Sequence, residues 1–105
     1  MKMYRVITYV PQTHAAAVRE AIGEAGGGTM GNYSHCSFSA SGTGRFVPLA
    51  GSSPAIGARG VLEEVPEDRI EFYCPKNLLE SVAQAIRAVH PYEEVPIDAS
   101  EIEIL

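Results

Sequence analysis

His90-Pro91-Tyr92-Glu93-Glu94 is the run in this sequence whose side chains could do chemistry at close range. An imidazole followed closely by two carboxylates offers nitrogen and oxygen donors, the types a divalent cation takes. Two features limit that reading. Adjacent residues of an extended chain point to opposite faces, so only one of Glu93 and Glu94 joins His90 easily. The run also lacks a second histidine, so one subunit supplies an incomplete ligand set, with His90 and Glu93 as its metal-ligand candidates. The simpler reading is structural: His90 ends a helix, where the helix dipole favours a cation, and Pro91 fixes the exit of the chain.

Other candidates are weaker. His35-Cys36 sets imidazole beside thiol, but in a strand the two face apart, which argues against a nucleophile pair. Cys36 and Cys74 are too few and too far apart for a disulfide framework or zinc knuckle, and are expected to be buried, reduced thiols. The glycines at 26–28 and 31 follow a helical pattern instead of preceding one, so they read as a cap and turn, not a dinucleotide fingerprint. There is no phosphate-loop lysine motif, no serine elbow and no distinctive carboxylate pair. No catalytic residue is assigned.

The elements that would position these side chains follow from periodicity. Met3 to Val10 reads as strand β1, with Tyr4, Val6, Thr8 and Val10 on one face and Arg5, Ile7 and Tyr9 on the other. Pro11 breaks it, Thr13 offers a helix cap, and Val18, Ala21, Ile22 and Ala25 recur at helical spacing as α1. Tyr33 to Ala40 is assigned to β2, and residues 41–60, rich in glycine with two prolines, to a long connector of the kind that often carries function. Val61–Val65 and Arg69–Pro75 form an interrupted β3 with a turn or bulge at Pro66-Glu67-Asp68. Asn77 with Glu80 suggests a capping box for α2, whose stripe is Leu79, Val82, Ile86 and Val89. Val95 to Ile104 gives β4, with Ile97, Ile102 and Ile104 alternating around polar positions.

The order βαββαβ predicts an α+β, ferredoxin-like sandwich, with antiparallel sheet order 4-1-3-2 and both helices on one face. Its strand directions place His14, His90, Tyr92, Glu93, Glu94 and the connector at one end, making these five residues the candidate ligand-binding set. His35, Cys36 and Cys74 fall at the other. The uncovered sheet face carries apolar residues of β1, and another subunit is its simplest cover.

The 105 residues form one domain, with 46% hydrophobic content to build its core. A net charge of −5 argues against nucleic acid and anionic membrane as partners. The absence of a long apolar stretch or signal-like start makes the cytoplasm the expected location.

Three longer motifs add to this reading: GNYSHCSFSASGTGRFVPLAGSSPAIG at 31–57, EEVPEDRIEFYCP at 63–75 and HPYEEVPID at 90–98. From about Val10 to the C-terminus the chain resembles the domain inserted in Nif-three-like proteins of the YqfO (DUF-thirty-four) type. The resemblance implies a fold similar to the trimeric signalling protein PII and to CutA, and hence a homo-oligomer with a trimer favoured. Longer members carry flanking halves whose His, Asp and Glu side chains hold two metals, and this sequence contains neither half. PII's phosphate-cradling glycine and lysine pattern and CutA's tryptophan are also missing. The expected function is therefore a non-catalytic, homo-oligomeric binding or regulatory module, its clefts between subunits taking a divalent metal, a small ligand or a partner protein, with no cofactor required. The alternatives are a metal-dependent hydrolase, the activity type assigned to longer members, and a purely structural interaction domain.

Overall fold

A computed structural model describes all 105 residues. Its elements are β1 (Lys2–Pro11), α1 (Ala15–Glu24), β2 (Phe38–Phe46), β3 (Glu63–Cys74), α2 (Leu79–Val89) and β4 (Ile97–Glu103). The four strands form one antiparallel sheet in the order β2-β3-β1-β4, as the βαββαβ pattern predicts. Both helices pack on one face. Val6 and Val10 of β1 and Ile70, Phe72 and Cys74 of β3 meet Val18 and Ile22 of α1 and Val82 and Ile86 of α2 in one core. Thr8, also facing the helices, is fully buried and donates to the Pro96 carbonyl at 2.9 Å, which ties β1 to the entry of β4.

The two helices begin alike, but not as the capping signals suggest. Pro11 and Pro75 each lead into a single 3₁₀ turn, Gln12–His14 and Lys76–Leu78, and neither helix has a side-chain cap. The tight turn closes its own backbone bonds, such as Leu78 N–H to the Pro75 carbonyl at 3.1 Å, so Thr13 and Asn77 have no capping work to do. Val89 is exposed, and the buried position at the end of the α2 stripe falls to His90. Ile97 pairs with Thr8 on the helix side while Ile102 pairs with Met3 on the other, so the β4 isoleucines divide between faces.

The largest departure concerns β2 and β3. β2 starts at Phe38, not Tyr33, and runs to Phe46 through Gly42 and Gly44. Before it, Met30 and Tyr33 close a small bridge, and His35 takes a left-handed φ of 60°, which no strand residue adopts. β3 is continuous over 12 residues, with Pro66 paired to Thr43 and no bulge. β1 stops at Pro11, opposite Glu67, so beyond that point β2 and β3 continue as a two-stranded arm. Such an arm has an open side, where a proline's missing N–H breaks no ladder. The arm helps to stretch the molecule to 45 × 23 × 22 Å.

Candidate functional site

The arm, the loop 47–62 and the segment 90–96 surround one cleft of about 480 Å³. Its position follows from the end of α2. The His90 N–H closes the last helical turn on the Ile86 carbonyl at 2.9 Å, and the backbone then becomes extended. The imidazole is 7% exposed and both its nitrogens are used: Nδ1 accepts the Tyr92 N–H at 3.1 Å, and Nε2 lies 2.7 Å from the Tyr9 carbonyl. An acceptor role at Nδ1 leaves the proton on Nε2, which donates to Tyr9. Burial holds the His90 pKa below the ordinary imidazole value, although the Tyr9 bond and the Glu67 charge act the other way; the nearby His14 lowers it further. His90 is thus a neutral clamp between the start of segment 90–96 and β1.

That clamp delivers Tyr92 to the sheet face that carries no helices. Its ring meets Phe46 edge-on, with centroids 5.5 Å apart, and its hydroxyl donates to Glu67 Oε2 at 2.6 Å. Burial first, and then the Glu67 hydrogen bond and the Glu67 and Glu63 charges, push the phenol above its ordinary pKa and keep it a donor. Glu67 is 8% exposed. Its carboxylate occupies the space over Gly44, where a β-carbon would collide with both oxygens. Glycine at this strand position leaves the space in which the carboxylate rests.

The loop is held as firmly. Gly60 N–H bonds to the Pro48 carbonyl at 2.7 Å, and Arg59 Nε donates to the Ser52 carbonyl at 2.7 Å. Glu93 latches it to the segment after α2, accepting the Ser53 N–H on both carboxylate oxygens at 3.2 Å. Tyr9, Phe46, Pro48 and Ile56 give the cleft apolar walls, and Glu67, Tyr92, Glu93 and Glu94 give it polar ones.

Of the five residues expected to form a ligand site, Tyr92, Glu93 and Glu94 line this cleft together. His90 stands behind Tyr92, while His14 is exposed at the start of α1 with Nδ1 2.9 Å from the Thr13 hydroxyl. A metal on His90 would displace one of its two backbone partners, and no group of three His, Cys, Asp or Glu side chains converges as a ready ligand set. At the opposite end, Cys74 is buried and Cys36 is half-buried, and both are free thiols. Glu67 and Gly44 are the site residues that sequence reasoning misses. The available signal was parity: a continuous β3 places Glu67 on the same face as Val65, directed away from the helices.

No family model matches the chain. It is 50% identical over 92 residues to a protein of Mycobacterium tuberculosis named GTP cyclohydrolase 1 type 2 homolog, a match covering 88% of this chain and 24% of the relative. The Bacillus subtilis protein of the same name is 46% identical over 99 residues, covering 94% of this chain and 26% of the relative. The chain thus spans about a quarter of the length of these relatives. Among solved structures, a Bacillus cereus protein related to NIF3 superposes with a TM-score of 0.84 at 47% identity, covering 98% of this chain and 26% of that one. CutA1 from Pyrococcus horikoshii gives 0.70 at 17% identity over 98% of this chain and 86% of its own, a likeness of fold alone. The B. subtilis GlnK–ATP complex gives 0.63 at 13% identity, covering 96% of this chain and 82% of its own. In this chain the first and last residues lie side by side, with Ile104 N–H bonded to the Met1 carbonyl at 2.8 Å. A segment whose ends meet in this way can be carried within a longer chain without forcing its flanks apart. The chain is a PII/CutA-like ferredoxin-fold domain, homologous to the corresponding quarter of the NIF3-related proteins.

Proposed function

We propose that this domain is a non-catalytic binding or regulatory module that assembles with copies of itself and takes a small ligand in the cleft beneath loop 47–62. The observation that carries the reading is the loop latch. Glu93 fixes the loop to the segment after α2 while Tyr92 and Glu67 complete the floor, so one backbone arrangement builds a walled cleft of about 480 Å³. That volume falls within the range typical of small-molecule sites.

Assembly is supported by the sheet face without helices, where Met3, Ile7, Phe38, Tyr73 and Ile102 lie among Arg5, Arg69 and Glu71. Phe38 is 67% exposed there, a large apolar surface for water to cover. A trimer is the assembly proposed, and it would set neighbouring copies around these faces. A divalent metal on His90 and Glu93 is a narrower form of the same proposal. It would require the imidazole to release Tyr9 or Tyr92, the carboxylate to loosen its hold on Ser53, and a neighbouring subunit to add ligands. The activity in the relatives' name belongs to chains about four times as long, and no hydrolytic step is assigned to this domain.

Equilibrium dialysis against a small-molecule cell extract, read by mass spectrometry, tests the cleft. Wild type is expected to enrich a compound that Ala55→Trp, which fills the cleft from its rim, does not. Equal enrichment by both proteins, or none by either, would show that the cleft is not a small-ligand site.

A further inference from the structure

The charge inside the cleft is one-sided. Glu67, Glu93 and Glu94 all line it, and none forms a salt bridge within the chain. The single basic side chain of the lining, Arg45, sets its Nε 3.4 Å from Glu64, which is not part of the lining. Glu67 is the decisive member. The residue is more than nine-tenths buried, Tyr92 supplies a hydrogen bond to Oε2, and Oε1, over Gly44, has no donor from the protein and keeps contact with solvent. A buried carboxylate without a cationic partner is costly, and the same low-dielectric surroundings strengthen its attraction for any cation that reaches it.

The form of that cation follows from the walls. The three carboxylates are spread around the cleft and do not converge on a point, which suits a metal ion poorly. The rings of Tyr9, Phe46 and Tyr92 share the lining with them, surfaces that favour an organic cation with an apolar body. Resting on the reading of the cleft as a small-ligand site, we propose that its ligand is a small organic ammonium compound, its charged nitrogen directed to Glu67 and its apolar part against Phe46 and Tyr9.

The test uses three matched probes on the full chain, followed by amide NMR: benzylammonium chloride, benzyl alcohol and sodium benzoate. Benzylammonium is expected to shift the amides of residues 44–56 and 92–94, and to bind at least roughly tenfold more tightly than the other two, the discrimination that pairing with a desolvated charge supplies. Glu67→Gln, which keeps an acceptor for Tyr92, should abolish that preference. Glu94→Gln, at an exposed position, should weaken it by roughly two- to threefold, and it keeps the test valid should the Glu67 variant fold poorly. Alcohol or benzoate binding in the cleft as well as the ammonium would overturn the cationic assignment and leave the small-ligand site standing. Absence of cleft shifts with all three probes, or a benzylammonium affinity unchanged in both variants, would also overturn it, and the former would count against the site itself.

Discussion

Replacing His90 by alanine is expected to lower the free energy of unfolding by about 3 kcal/mol, because the loss falls on both sides of a buried ring. The variant leaves the Tyr9 carbonyl and the Tyr92 N–H without their partners and empties a space beneath the end of α2. Urea unfolding followed by circular dichroism measures it. A loss under about 0.5 kcal/mol, the range of ordinary surface substitutions, would contradict the clamp. The same residue sets a pH dependence. Its pKa in the folded chain lies below the unfolded value, so the unfolded chain binds more protons as the solution is acidified. The stabilisation is complete above the free-imidazole pKa of about 6.5 and is lost as pH falls through the folded value. Subtracting the His90→Ala profile from that of wild type between pH 8 and roughly 5 should isolate this slope.

The second large effect is expected at the other end of the molecule. Gly28 has a φ of 78°, and a β-carbon there would strike the backbone N, C and O of Cys36. Its own backbone joins two elements, with the N–H bonded to the Tyr73 carbonyl at 2.8 Å and its carbonyl accepting the Cys36 N–H at 2.9 Å. Gly28→Ala should therefore cost about 2–4 kcal/mol, since the left-handed conformation and a collision with backbone add together. Gly31→Ala provides the control. Gly31 also has a positive φ, of 55°, but nothing lies within reach of an added β-carbon, so the strain acts alone. Equal losses in the two variants, measured by thermal or urea unfolding, would show that packing against Cys36 contributes nothing.

The parts of the fold that were legible in the sequence were those set by alternation and helical period. β1 and α1 bury Val6, Val10, Val18 and Ile22 as their spacing marks them, α2 buries Val82 and Ile86 but leaves Val89 exposed, and the order of elements was enough to give the sheet order. What failed were signals whose meaning depends on a neighbouring strand. Gly42 and Gly44 look like connector residues because glycine weakens a strand, yet both lie in β2, and the Glu67 carboxylate rests in the space that Gly44 leaves. Pro66 looks like a break, but it lies beyond the end of β1, where a two-stranded arm tolerates it. Reading a break there also hid Glu67 as a turn residue. The segment His90–Glu94 was correctly placed beside the connector, but its division of labour was not visible: His90 clamps, Tyr92 positions Glu67, and Glu93 holds the loop. Those roles depend on a carbonyl, a glycine and a loop amide, none of which has a signature in sequence.

The His90 clamp and the cleft depend on each other. If His90 is removed, Tyr92 loses its fixed starting point, and the Glu67 carboxylate loses the hydroxyl that pairs it. The stability of the α2 terminus and the shape of the cleft are then a single property, and ligand affinity should fall with the His90→Ala substitution even though the imidazole does not line the cleft.

Native mass spectrometry of the purified protein reads assembly and ligand occupancy in one spectrum. The expected spectrum is that of a homo-oligomer, a trimer in its proposed form, with an organic molecule retained on each subunit and released when Ala55→Trp fills the cleft. A mass excess of one metal ion per subunit would instead favour the His90 and Glu93 version. A bare monomer, with neither partner copies nor ligand at native ionic strength, would contradict the proposal that this domain is a self-assembling binding module.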